Sequence, residues 1–292
     1  MKHPKSVLRD IVASRPAIEL NDRVHDQCAF EYRLAERLRS ADRSERMRLY
    51  GEVYNEYSEK FPESLPKDSS KAERIARNES LFLRRFVTPA TVVAEIGPGR
   101  CHLAFSLAPV VRKIYGVDVN AVEAVANANP ANFEFRLTDG IAMPFDSDSI
   151  DLVISNQLME HLHPDDATEQ LREVYRVLRV GGHYVCITPS PVNGPHDCSA
   201  YFDDLPCPIK AGHYSATGLH LKEYTARELL AAFRNVGFKR TQTFVGARGN
   251  YITVPPSIIT LTESALRLVP PDRRKRSRLL SVILDHRVCA TK

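Results

Sequence analysis

From about residue 91 onward, short apolar runs alternate with stretches whose apolar residues recur every three or four positions. That is the pattern of a parallel sheet with crossover helices. Strands are predicted at Thr91–Ile96, Lys113–Asp118, Phe133–Leu137, Ile150–Asn156 and His183–Thr188. Helices are predicted to begin near Arg100, Ala121 and Pro164, the last running to a Gly181-Gly182 stop. Thr225–Val236 reads as a further helix, with Thr225 as its cap, Glu228 three residues on, and Gly237 at its end. Lys239–Val245 and Asn250–Val254 then read as successive antiparallel strands.

Ahead of this region the texture differs. Residues 1–78 are rich in Arg, Glu, Lys and Leu, and Tyr32, Leu34, Leu38, Leu49, Tyr50, Val53, Tyr54 and Tyr57 recur at helical spacing. Amphipathic helices are expected there, broken at Pro62 and Pro66, and another over Ser70–Phe86. The chain therefore divides into a helical N-terminal cap (1–78), a central α/β domain (79–255) with an insertion at about 190–223, and a basic helical tail (256–292). The insertion carries four prolines, with Pro189 just ahead of it, and several histidines, and it is too long for a passive connection, so a lid or binding loop is expected.

Composition narrows the function classes. Over 292 residues, 43% are hydrophobic and 26% charged, with a net charge of +4. This is ordinary for a globular chain, and too mild a charge to argue for nucleic acid. The six cysteines lack C-x-x-C spacing, which argues against zinc ribbons and redox dithiols. The first twenty residues carry no apolar core of a secretory signal, and no run of about 18 apolar residues suggests a membrane helix. A cytoplasmic location is expected. The basic run Arg273, Arg274, Lys275, Arg276 and Arg278 leaves peripheral membrane contact open as a minor role.

The chemistry lies in Val92-Val93-Ala94-Glu95-Ile96-Gly97-Pro98-Gly99-Arg100, an apolar strand ending in an acid and two glycines before a helix. Glycines let the backbone turn sharply and approach a ligand, and a helix N-terminus suits an anionic group. Asp118 ends the next strand, where an acid can accept ribose hydroxyls. A dinucleotide fold shares this logic. Its fingerprint needs a third glycine where this chain has His102, and Glu95 with Pro98 suits a ligand bearing an ammonium or sulfonium.

These residues resemble the class I S-adenosylmethionine-dependent methyltransferases of the small-molecule, type 11 kind. Glu95-x-Gly97-x-Gly99 is similar to the family's first motif. Asp118, with Val119, matches its ribose-binding acid, and Asp139-Gly140 resembles the turn that contacts adenine. Phe145–Val153 is similar to the run into the fourth strand, Asn156–Leu162 to the loop that borders the methyl group, and Arg172–Gly182 to the helix and turn ahead of strand five. The match spans about 110 residues in order. It departs at Cys101, where the family often has glycine.

The resemblance implies a Rossmann-like, doubly wound sheet of seven strands, the last antiparallel, with helical N-terminal and C-terminal additions. It implies S-adenosyl-L-methionine as cofactor, bound by Glu95, Gly97, Gly99, Asp118, Val119, Asp139, Gly140 and Asn156. Asn156-Gln157-Leu158-Met159 lacks the Asn/Asp-Pro-Pro-aromatic signature of base-amine methylation, so a hydroxyl of a small-molecule or glycan-like acceptor is the expected target. A carbon or an amine acceptor, or a binding module without turnover, are the alternatives. The candidate bases are His196, beside Asp197, and His161. No metal ligands are assigned, though His196, His213 and His220 would suit a base or a divalent ion.

Overall fold

The structure is a computed structural model that describes residues 22–61, 69–120, 129–192, 196, 218–247, 250–269 and 285–292. The predicted helix near Ala121, the prolines 62 and 66, the basic run at 273–278, and Asp197, Cys198, Cys207 and His213 lie outside the described residues.

Three helices come first: α1 (Asp22–Ser40), α2 (Arg43–Lys60) and α3 (Ser69–Leu83). The α/β region follows as β1 (Val92–Ile96), α4 (His102–Leu107), β2 (Lys113–Asp118), β3 (Phe133–Leu137), β4 (Ile150–Asn156), α5 (Pro164–Val177) and β5 (Leu178–Pro189). The chain ends with α6 (Ala226–Val236), β6 (Arg240–Ala247), β7 (Asn250–Val254), α7 (Pro256–Arg267) and β8 (Asp285–Thr291). All strands form one sheet in the order β3-β2-β1-β4-β5-β8-β6-β7. The first five are parallel, and β8 pairs antiparallel with both β5 and β6.

Alternation along β1 explains the layering. Val92, Ala94 and Ile96 join the core packed under α2, α5 and α6, whereas Val93 joins the core under α3 and α4. All five β1 residues are buried, as a central parallel strand covered on both faces requires. Sequential neighbours β1, β2 and β3 pair side by side, and the chain then returns to place β4 on the other side of β1. That reversal opens a crevice at the carboxyl ends of the strands, where ligands bind in such sheets.

Three sequence expectations are corrected. The sheet has eight strands rather than seven. The helix α5 ends at Val177, and Gly181-Gly182 lie inside β5. There they form a wide bulge: Leu178 pairs with Ile150 and His183 with Leu152. Gly181 has a φ of 80°, and a Cβ on Gly182 would meet the Arg179 carbonyl oxygen at 2.8 Å, so the glycine pair shapes a bulge rather than stopping a helix. Finally, residues 256–292 are helical at α7, but the last strand enters the middle of the antiparallel part of the sheet. Its Arg287 reaches across to Glu79 of α3 at 2.8 Å, in a buried ion pair. The cap of α6 is as expected, with Thr225 and Glu228 exchanging side-chain and backbone hydrogen bonds.

Candidate active site

A cleft of about 220 Å³ lies at the carboxyl ends of β1, β2 and β4, lined by Gly97, Gly99, Asp118, Val119, Gly140 and His161 among others. Gly97 and Gly99 turn the chain with φ of 64° and 51°. A Cβ on Gly97 would lie 2.9 Å from a Leu158 methyl, which can move aside, so it is the positive φ that calls for glycine there. Gly99 faces open space instead. Cys101 takes the left-handed conformation as well, with φ of 60° ahead of α4, which explains why a glycine serves that place in related loops. Its side chain is fully buried, and burial pushes its thiol up to about 12.

Asp118 stands at the end of β2 with the Val119 N–H donating to its Oδ1 at 2.7 Å. Burial raises its carboxyl above the usual range, and backbone N–H groups of Val119, Asn120 and Gly99 hold that rise back. Glu95 is deeper, 3% exposed, with Oε2 lacking a hydrogen-bond partner among the described residues. Burial pushes it up to about 8, opposed by the Ala104 N–H.

The N-terminal helices close one side. Tyr50 and Tyr54 of α2 line the cleft. Arg46 anchors α2 through two bonds to the buried Asp166 carboxylate, at 2.5 and 2.9 Å. The Tyr50 hydroxyl donates to the same carboxylate at 2.8 Å and accepts from the His163 N–H at 2.9 Å. Tyr57 points elsewhere and donates to Glu31.

The far wall holds a polar cluster. His161 donates through Nδ1 to the Leu219 carbonyl at 3.0 Å and meets the rings of Tyr54 and His220 edge-on, with centroids 5.8 and 4.8 Å away. Burial, with His220 adding to it, lowers its pKa to about 3. Glu160 is fully buried behind it; Oε2 accepts from the Thr188 hydroxyl at 2.9 Å, and Oε1 has no partner among the described residues. Burial pushes its carboxyl up to about 7. Glu223 is also buried, but hydrogen bonds from His196 and His220 outweigh that burial and bring it down to about 2. One ligand atom each from Glu160, His161 and His220 lie within 4.8 Å of one another.

Residues 94–186 match the family model described as a methyltransferase domain. A probable S-adenosylmethionine-dependent methyltransferase of Mycolicibacterium smegmatis is 27% identical over 152 residues, 52% of this chain and 53% of that protein. The chain thus spans about half the length of this curated relative. Among solved structures, the putative methyltransferase in complex with the Trm112 activator of Haloferax volcanii superposes with a TM-score of 0.51 at 19% identity, covering 78% of this chain and 94% of that one. Phosphoethanolamine N-methyltransferase 1 of Haemonchus contortus, solved with phosphoethanolamine and S-adenosylhomocysteine, gives 0.52 at 15% identity, covering 83% and 49%. Residues 94–186 are thus similar to a methyltransferase domain, and the fold is that of the solved methyltransferases.

Within this region, the structure brings Gly97, Gly99, Asp118, Val119, Gly140 and His161 to one cleft. Four expected residues, Glu95, Asp139, Asn156 and His196, stand apart from the lining, Glu95 because it is buried one position ahead of it. Asp139 uses Oδ1 to close its own turn, accepting from the Ile141 and Ala142 N–H groups at 2.8 Å each. Asn156 ends β4, and its successors Gln157 and Leu158 reach the cleft instead. His196 braces the loop, its Nδ1 3.2 Å from Glu223. Sequence reasoning missed Glu160 and Glu223. Glu160 lies within the Asn156–Leu162 stretch, which points to no role for it, Glu223 carries no motif, and only the fold shows that each is buried beside histidines.

Proposed function

We propose that the protein transfers a methyl group from S-adenosylmethionine to a hydroxyl of a small-molecule or glycan-like acceptor. The observation carrying this reading is the single cleft that joins the glycine loop and Asp118 to a wall of Tyr54 and His161. The residues suit the cofactor: Gly99 leaves open space where a side chain would intrude, and the buried Glu95 has an oxygen without a partner. Bound there, the cofactor supplies a methyl group activated on sulfonium. Asp118 would accept the ribose hydroxyls, and the apolar Ile96, Val119 and Leu158 would flank the base. Tyr54 and His161 would position the acceptor near the methyl group, since positioning is most of what such a displacement needs.

Titration calorimetry with S-adenosylmethionine and with NAD tests the cofactor. Binding of the first alone is expected, and tight binding of NAD alone would sink the assignment. Asp118→Ala should weaken the cofactor roughly ten- to a hundredfold, the loss expected for hydrogen bonds to a charged group. Labelled-methyl transfer to a metabolite extract then separates an enzyme from a silent binder. Methylation of amines only would overturn the hydroxyl reading. His196→Ala with unchanged turnover would exclude that histidine as base.

A further inference from the structure

We propose that Glu160, His161 and His220 form a binding site for a divalent transition-metal ion, for which Zn²⁺ is the natural probe. Their ligand atoms already lie within 4.8 Å of one another. Around a tetrahedral ion with bonds of about 2.0–2.1 Å they would stand roughly 3.3 Å apart, so side-chain adjustment of no more than about 1.5 Å completes the set.

The surrounding bonds are those a metal site needs. Ligating histidines usually direct their second nitrogen to a carboxylate or a backbone carbonyl. Here Nδ1 of His161 is bonded to the Leu219 carbonyl at 3.0 Å and Nδ1 of His220 to Glu223 Oε1 at 2.9 Å, which assigns Nε2 of each ring as the ligand. Glu223 is itself fixed by the His196 N–H at 2.6 Å. Glu160 is held on one oxygen by Thr188, while the other is buried and unpartnered among the described residues. A buried carboxylate oxygen left bare is costly unless something binds it. The two segments are also clamped to each other, because the Leu221 and Lys222 N–H groups both donate to the Glu160 carbonyl, at 2.7 and 3.1 Å.

Two imidazoles and one carboxylate suit zinc and its neighbours rather than magnesium or calcium, which favour oxygen ligands. Three protein ligands leave a fourth position open. His161 belongs both to this trio and to the cleft wall, so the open position borders the cleft. A hydroxyl bound there would lose its proton more readily. The ion site stands on its own geometry; only its use on an acceptor hydroxyl rests on the methyl-transfer reading.

The test uses the full chain, stripped with a chelator and dialysed against Zn²⁺ or Co²⁺, with elemental analysis and the visible spectrum of cobalt. One ion per chain with a tetrahedral cobalt spectrum free of thiolate charge-transfer bands is expected. His220→Ala and Glu160→Gln should each weaken uptake at least tenfold, and Glu223→Gln ten- to a hundredfold. Far-ultraviolet dichroism confirms that each variant is folded, and His220→Gln replaces His220→Ala where it is not. No stoichiometric uptake, uptake unchanged in both the His220 and Glu160 variants, or a thiolate band would overturn the proposal. Calorimetry with S-adenosylmethionine on the same samples keeps the two readings apart. Cofactor binding without metal uptake removes only the ion site, and metal uptake without cofactor binding removes only the methyl-transfer reading.

Discussion

Replacing Arg46 by Met should destabilise the protein by about 3–5 kcal/mol, the usual cost of leaving one member of a buried ion pair behind. The geometry explains why the cost falls in this range. Asp166 is 0% exposed and Arg46 5%. The carboxylate accepts two guanidinium bonds and the Tyr50 hydroxyl, and the third guanidinium arm satisfies the Ala41 carbonyl at 2.8 Å. Met fills much of the arginine's apolar volume, so the loss is electrostatic rather than a cavity. The first turn of α5 and the Tyr50 hydroxyl remain to stabilise the carboxylate, which limits the damage to that range.

Urea unfolding of the wild type, Arg46→Met, Asp166→Leu and the double variant gives the coupling directly. Both single variants should lose several kcal/mol, and the double variant should recover much of it, with a coupling energy above about 2 kcal/mol. Because Tyr50 lines the cleft and bonds the same carboxylate, Arg46→Met should also weaken cofactor binding. A loss below about 1 kcal/mol, or additive single effects, would show that the pair does not hold α2 in place.

Three further outcomes are expected. In the ligand-free protein, the Glu95 carboxyl is raised to about 8 by burial and ionises near 4.5 when unfolded. Its contribution to stability is therefore full below about pH 4.5 and is lost as pH rises to about 8; Glu95→Gln should melt above the parent near pH ~9 and lose that advantage near pH ~5, whereas a gap independent of pH would contradict the burial argument. Val288→Asp places a charge on a residue 2% exposed in β8 and should cost more than about 4 kcal/mol or abolish cooperative melting; Val180→Asp, on a residue 86% exposed, should change stability by less than about 0.5 kcal/mol. Tyr54 has a buried hydroxyl without a hydrogen-bond partner among the described residues, so Tyr54→Phe should leave thermal stability equal or slightly higher while raising KM for the acceptor; a clear drop in melting temperature would mean that the hydroxyl is structurally engaged.

Most of the parallel sheet was legible because its physics is local. A central strand covered on both faces is apolar along most of its length, as β4 is, while the edge strand β3 alternates Phe133, Phe135 and Leu137 with Glu134 and Arg136; β2, β3 and β4 run over the very residues expected. The helix α6 was legible for a similar reason, since its cap is a bond between residues three apart. The strand β8 was not. Asp-His-Arg-Val-Cys-Ala-Thr opens with three ionisable residues, and a buried strand of that composition is tolerable because Glu79 of α3 neutralises Arg287 and Glu263 of α7 faces His286. No window of sequence contains Glu79, which lies 208 positions before Arg287. Gly181-Gly182 misled for the opposite reason: glycine pairs end helices far more visibly than they shape bulges, and only the backbone contact at Gly182 shows which is meant.

The site divides along the same line. The side proposed for the cofactor comes from Gly97, Gly99, Asp118, Val119 and Gly140, all within three successive strand ends, so a short stretch of chain encodes both the loop and the acid. Its far wall is assembled from Tyr54 on α2, Glu160 and His161 after β4, and His220 and Glu223 ahead of α6. None of these is informative alone, because a lone histidine or glutamate is as often a braced surface group as a ligand. What makes them a site is that burial removes water from Glu160 and Glu223 at once, so each must be answered by a neighbour. Glu223 is answered by two histidines, whereas Glu160 keeps one oxygen bare. That asymmetry is why the cofactor half follows from motif and the acceptor half only from geometry, and why the bare oxygen beside His161 is the place to look for what this enzyme domain binds.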